Sequence, residues 1–107
     1  RQVAAYKMMF AGDEKRLHDH VRLLPCLRVE CPGGCGRVEV SHSDQQRDGK
    51  GMGIRAYPWR IAALGKACHY ELGHGKNLSK QEKREQWDEA HRRTIGELFR
   101  QGLVRPT

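Results

Sequence analysis

The sequence predicts a small α+β domain stapled by a knot of thiols. Three observations predict it. Apolar residues recur at helical spacing near both ends of the chain. Two short strand-like runs lie between them. Four cysteines, Cys26, Cys31, Cys35 and Cys68, sit beside those runs. The chain has 107 residues, 37% hydrophobic and 31% charged. A domain of that size buries roughly two-thirds of its unfolded surface, so its core is thin and a staple is expected.

Taken in order, residues 2–10 ("QVAAYKMMF") read as a short helix or a packed lead-in. Asp13 can cap a helix of about three turns that ends before Pro25, with Leu17, Val21 and Leu24 on its buried stripe. "CLRVECPGGCG" (26–36) is a tight loop bent by Gly and Pro, with three of the thiols. "RVEVSH" (37–42) alternates and reads as a strand; "WRIAAL" (59–64) reads as its antiparallel return. Between them lies a polar, glycine-rich loop, 43–53. "KACHYELG" (66–73) is a short helix. Ser79 and Glu82 then form a capping box. The helix they start shows Trp87, Ala90, Thr94, Ile95 and Leu98 on one side and stops at Gly102. The whole reads as one domain, 1–107: a helical region (1–25), a metal-binding core (26–76) and a C-terminal helix (77–107).

The net charge is +7, from 20 Lys and Arg against 13 Asp and Glu. That balance points to a polyanionic partner. No secretory core and no apolar run of about 18 residues occurs, so a membrane role is not expected and the cytoplasm is. The chain starts at Arg1 without a methionine, which leaves room for further sequence ahead of it. In a reducing compartment clustered cysteines read as metal ligands before disulfides. Structural zinc takes four soft ligands in a tetrahedron, usually from two chain segments. Here one segment offers three thiols and the other offers one. All four can share an ion. Alternatively, two thiols of the first loop join Cys68 and a histidine, leaving Cys31 or Cys35 a bystander.

Three histidines suit metal-assisted phosphodiester cleavage. His42 ends a strand, His69 follows Cys68, and His74 comes five residues later. Such cleavage needs an imidazole to take a proton from water and a divalent ion at the scissile phosphate. His18, His20 and His91 read as packing or surface residues, although His91 could reach back to a metal. In the loop between the strands, Gly49, Gly51 and Gly53 let backbone approach a phosphate. Arg47, Lys50, Arg55 and Arg60 bring charge for contacts that position DNA without reading its sequence. Trp59 and Tyr57 can stack on bases or fill the core, and core is the expectation for Trp59.

The ordered set "LPC…CPGGCG…EVSH…GKGMGIRA…WRIAAL…ACHYE" resembles the phage branch of the HNH, or His-Me finger, endonucleases, over about residues 21–76. The resemblance implies a zinc-stapled ββα-metal core, a hairpin and helix clasping a catalytic ion, here with flanking N- and C-terminal helices. It implies a metal-dependent DNA endonuclease of phage recombination or repair. His42 is then the general base and His69 a ligand for Mg²⁺, Mn²⁺ or Zn²⁺. Its partners would be DNA and a strand-exchange recombinase filament of the RecA type, met as a monomer in a bacterial host's cytoplasm. The chain departs from the pattern at four places. Gly65 stands where many relatives have the first thiol of a C-x2-C pair, so Cys31 or Cys35 must substitute. Gly73 stands one turn after His69, which passes the second helix ligand to His74. Ser41 replaces a His or acidic ligand of some relatives. Arg60 lies close to where an Asn is usual. The competing reading is a non-catalytic zinc module that binds DNA or an acidic protein surface.

Overall fold

A computed structural model of the chain describes residues 6–7, 13–45 and 59–106. Gly49, Gly51, Gly53, Tyr57 and three of the expected DNA contacts, Arg47, Lys50 and Arg55, lie outside the described residues. The architecture is α+β. In chain order it runs β1 (Tyr6–Lys7), α1 (Asp13–Val21), β2 (Val38–His42), β3 (Ile61–Gly65), α2 (Lys66–His74), α3 (Lys80–Arg100) and β4 (Arg105–Pro106). The lead-in expected as a helix or a packed segment is in part a strand: Tyr6 and Lys7 pair antiparallel with Pro106 and Arg105. That pairing is between chain ends, which local periodicity cannot reveal.

β2 and β3 pair antiparallel, from Val38 opposite Gly65 to His42 opposite Ile61. Side chains alternate between the two faces of this ribbon. One face packs Val38, Val40, Ile61 and Ala63 against Leu17 and Val21 of α1 and Ile95 and Leu98 of α3. The other packs Ala62 and Leu64 against Leu72 of α2 and Trp87 and Ala90 of α3. β3 is therefore buried along its whole length, and its residues are apolar without alternation.

A two-stranded ribbon buried this way must satisfy the outer edge of β3. Ala63 N–H donates to Thr94 Oγ1 at 3.0 Å, and Ala63 C=O accepts from Leu27 N–H at 2.9 Å. Thr94 in turn donates its hydroxyl to Ala90 C=O. α3 thus backs the ribbon with its apolar stripe and closes the sheet edge with one hydroxyl. Its ends are as the sequence predicts. Ser79 and Glu82 make both capping-box bonds. At the other end Gly102 holds φ 75°, with Gly102 N–H on Phe99 C=O and Leu103 N–H on Leu98 C=O, the Schellman pattern.

Candidate functional site

The loop 26–37 folds back onto the junction of β3 and α2. Leu27 joins the edge of β3, Ala67 N–H donates to Cys35 C=O (2.8 Å), and Lys66 N–H donates to Arg37 C=O (3.0 Å). The turn needs Gly36, whose φ of 99° is one L side chains rarely adopt, and whose Cβ would meet Lys66. This latch brings the sulfurs of Cys26, Cys31, Cys35 and Cys68 within 4.8 Å of one another. Tetrahedral zinc with ~2.3 Å bonds sets sulfurs ~3.8 Å apart. Cys31 and Cys35 sulfurs are 3.4 Å apart, so the four fit around such an ion after small adjustments. All four cysteines are free thiols.

Of the alternatives that the spacing left open, this clustering suits the four-thiol set. Neither Cys31 nor Cys35 stands aside, and no histidine belongs to the cluster. Gly65 explains the unusual spacing. A Cβ built there would overlap Cys35 Sγ and lie 3.0 Å from Gly36 C=O. The sulfur of Cys35 occupies the space that a side chain at position 65 would fill.

The surroundings of the knot are polarised to suit it. Burial, then the neighbouring thiols, pushes Cys35 up to about 12, and burial also raises Cys68. The Gly33 backbone N–H, 3.4 Å from Cys31 Sγ, leads the effects that lower Cys31. Thiols this crowded ionise together only when a cation replaces their protons. Arg28 supplies further positive charge. It is 7% exposed and reaches Cys68 Sγ (3.5 Å), Glu71 Oε1 (2.6 Å) and Gln86 Oε1 (2.8 Å). One guanidinium therefore joins the thiol loop, α2 and α3. An arginine in "CLRVEC" gave no sequence signal, because its three partners lie 40 to 58 positions away.

Beside the knot, a cleft of about 940 Å³ lies between the ribbon end, α2 and the first turns of α3. His42, His69 and His74 all line it, with Ser41, Asp44, Gln45, Leu72, Gly73, Trp87 and the cations Lys80, Lys83 and Arg84. His69 Nδ1 is 2.7 Å from Glu39 Oε1 on β2. The carboxylate can only accept, so Nδ1 carries a proton in this contact; when the ring is neutral, Nε2 is then the acceptor. Glu39 was not anticipated. Its signal was the polar half of the β2 alternation, Glu39 and Ser41, on the ribbon face toward α2.

The three histidines share the cleft without closing on one point. Among the described residues, the four thiols are the one group of three or more ligand side chains gathered tightly enough for an ion. His42 shares the strand face of Val38 and Val40, and its ring meets His18 of α1 edge-on at 5.2 Å. His74, at the exposed end of α2, tilts against Tyr70 at 5.5 Å. Ser41 accepts the Trp87 indole N–H at 2.9 Å. Arg60 is half-buried outside the cleft lining, 3.7 Å from Asp88 and over the Trp87 ring at 5.5 Å. His91 packs, as expected: its Nδ1–H donates to Ile61 C=O at 2.7 Å and its ring stacks on Trp87.

No family model, no curated protein and no solved structure matches this chain. Among the described residues, no helix is long and apolar enough to cross a membrane.

Proposed function

We propose that the chain is a metal-dependent DNA endonuclease of the HNH type, stapled by zinc at Cys26, Cys31, Cys35 and Cys68. The observation that supports it is the shared cleft: a strand-end histidine and two helix histidines face one basic recess beside the thiol knot. His42 takes the proton of the attacking water. His69, held by Glu39 with Nε2 free, is the first ligand for a catalytic divalent ion, and His74 is the second. That ion, when bound, would neutralise charge on the scissile phosphate and the leaving oxygen. The net charge of +7 suits a polyphosphate substrate. Action on recombinase-bound DNA in phage recombination or repair belongs to the same proposal and comes from the sequence resemblance.

One observation favours the second reading, a non-catalytic zinc module. The histidines do not form a closed ligand set. Nicking of supercoiled plasmid with added Mg²⁺, Mn²⁺ or Zn²⁺, with and without recombinase filaments, decides between them. Wild type is expected to nick and His42→Ala to lose at least a hundredfold in rate, in line with the usual contribution of a general base. No cleavage under any of these conditions leaves the binding module. Cleavage by His42→Ala at the wild-type rate removes His42 from the chemistry.

A further inference from the structure

We propose that the first turns of α3 are the phosphate-binding wall of the cleft: Lys80, Lys83 and Arg84 hold the backbone of the DNA strand that enters it. This rests on the polynucleotide reading above and adds a surface to it, on a different element from the inter-strand loop.

Three observations lead there. The first is position along one stripe. Residues 80, 83, 84 and 87 share a helix face at i, i+3, i+4 and i+7, and from Trp87 onward that face is buried against the ribbon through Ala90, Thr94 and Leu98. A stripe that met only protein would stay apolar to its end. Here its N-terminal continuation turns cationic where it passes the ribbon and lines the cleft. The second is charge pairing. Several cations elsewhere on or beside the helices are neutralised locally, Lys15 and Arg22 by Asp19, Arg92 by Glu89 and Arg100 by Glu97, while Arg93 is spent on the Leu27 carbonyl. Among the described residues none of Lys80, Lys83 and Arg84 has an ion-pair partner. Of the nearby acids, Glu82 serves the capping box and Glu71 is bonded to Arg28, with Lys83 adding only a weaker charge effect on it from beyond ion-pair distance. The third is balance. The described lining holds these three cations against one carboxylate, Asp44.

The spacing suits a nucleic-acid strand. Four residues of helix advance about 6 Å, close to two nucleotide rises of about 3.4 Å. Long, partly exposed side chains can follow phosphates over that distance while His42 and His69 face the same recess. Contacts of this kind position the strand and read no bases.

The test is fluorescence-anisotropy binding of a labelled duplex, without added divalent metal, over a salt series. Three proteins are compared: wild type, the triple variant Lys80→Gln/Lys83→Gln/Arg84→Gln, and the equal-charge triple Lys15→Gln/Arg92→Gln/Arg100→Gln. Losing three phosphate contacts lowers the slope of log K against log salt by about 2.7 and weakens binding on the order of 10²-fold at 0.1 M salt. The second triple is expected to change the slope by less than about 0.5. Should the cleft triple fail to fold, each single variant is expected to lower the slope by about 0.9. A cleft triple with the wild-type slope overturns the phosphate wall and leaves DNA binding standing. Equal losses in both triples reduce the effect to net charge and overturn it as well. Wild type that binds no DNA, or that polyglutamate displaces as readily as unlabelled duplex, overturns the polynucleotide reading itself.

Discussion

Replacing Gly65 with alanine, an ordinarily mild change, is expected to disable the thiol knot. The added Cβ would overlap Cys35 Sγ, while real Cβ contacts essentially never fall under 3.0 Å. The Gly36 carbonyl, itself 3.0 Å from that Cβ, blocks retreat of the backbone on the other side. The sulfur must therefore yield on the order of 1 Å, several times the ~0.2 Å tolerance of a metal–ligand bond. Structural zinc contributes about 10–16 kcal/mol over four ligands, so losing one ligand costs on the order of 3 kcal/mol. That is roughly a hundredfold in zinc affinity and roughly 12–24 °C in Tm for a domain of this size. Cys35→Ala is expected to do the same. The double variant Cys35→Ala/Gly65→Cys is expected to recover most of the loss, because the new thiol starts from the space that the old sulfur filled. The assay is zinc stoichiometry with a chromophoric chelator, alongside thermal melts of metal-loaded protein. A Gly65→Ala protein that keeps one zinc per chain and melts within about 2 °C of wild type would refute the steric argument. So would a double variant no better than Cys35→Ala.

Two further outcomes concern the supports around the site. Thr94→Val keeps the shape of the side chain but leaves the buried Ala63 N–H without its acceptor, and it is expected to destabilise by about 1–3 kcal/mol in urea unfolding of zinc-loaded protein. A loss below about 0.5 kcal/mol would mean that the edge of β3 is satisfied some other way. The hydrogen bond from Arg28 holds the Glu71 carboxyl below its usual 4.5. A depressed carboxylate stabilises the fold above its unfolded value, and that stabilisation fades as pH falls through the folded value. Glu71→Gln is therefore expected to melt below wild type at neutral pH, with the gap closing once the pH drops under about 4.5. A gap that stays constant down to pH 3 would show that charge on Glu71 contributes nothing.

Periodicity and punctuation determined the elements. Ser79 with Glu82, Gly102, the spacing of Trp87, Ala90, Thr94 and Leu98, and the apolar run ending at Leu64 are each read within a few residues, and each lies where the structure has it. The sequence also marked the cysteines as candidate metal ligands, while leaving open whether Cys31 or Cys35 stands aside for a histidine. Tertiary structure alone decided that all four meet, that Gly65 is the space into which Cys35 fits, and that Arg28, Glu39 and the wall of α3 surround the site. The physical reason is range. Caps, turns and helix faces depend on neighbours within about one turn, whereas a ligand sphere or a cleft is set by where distant segments come to rest against a common core.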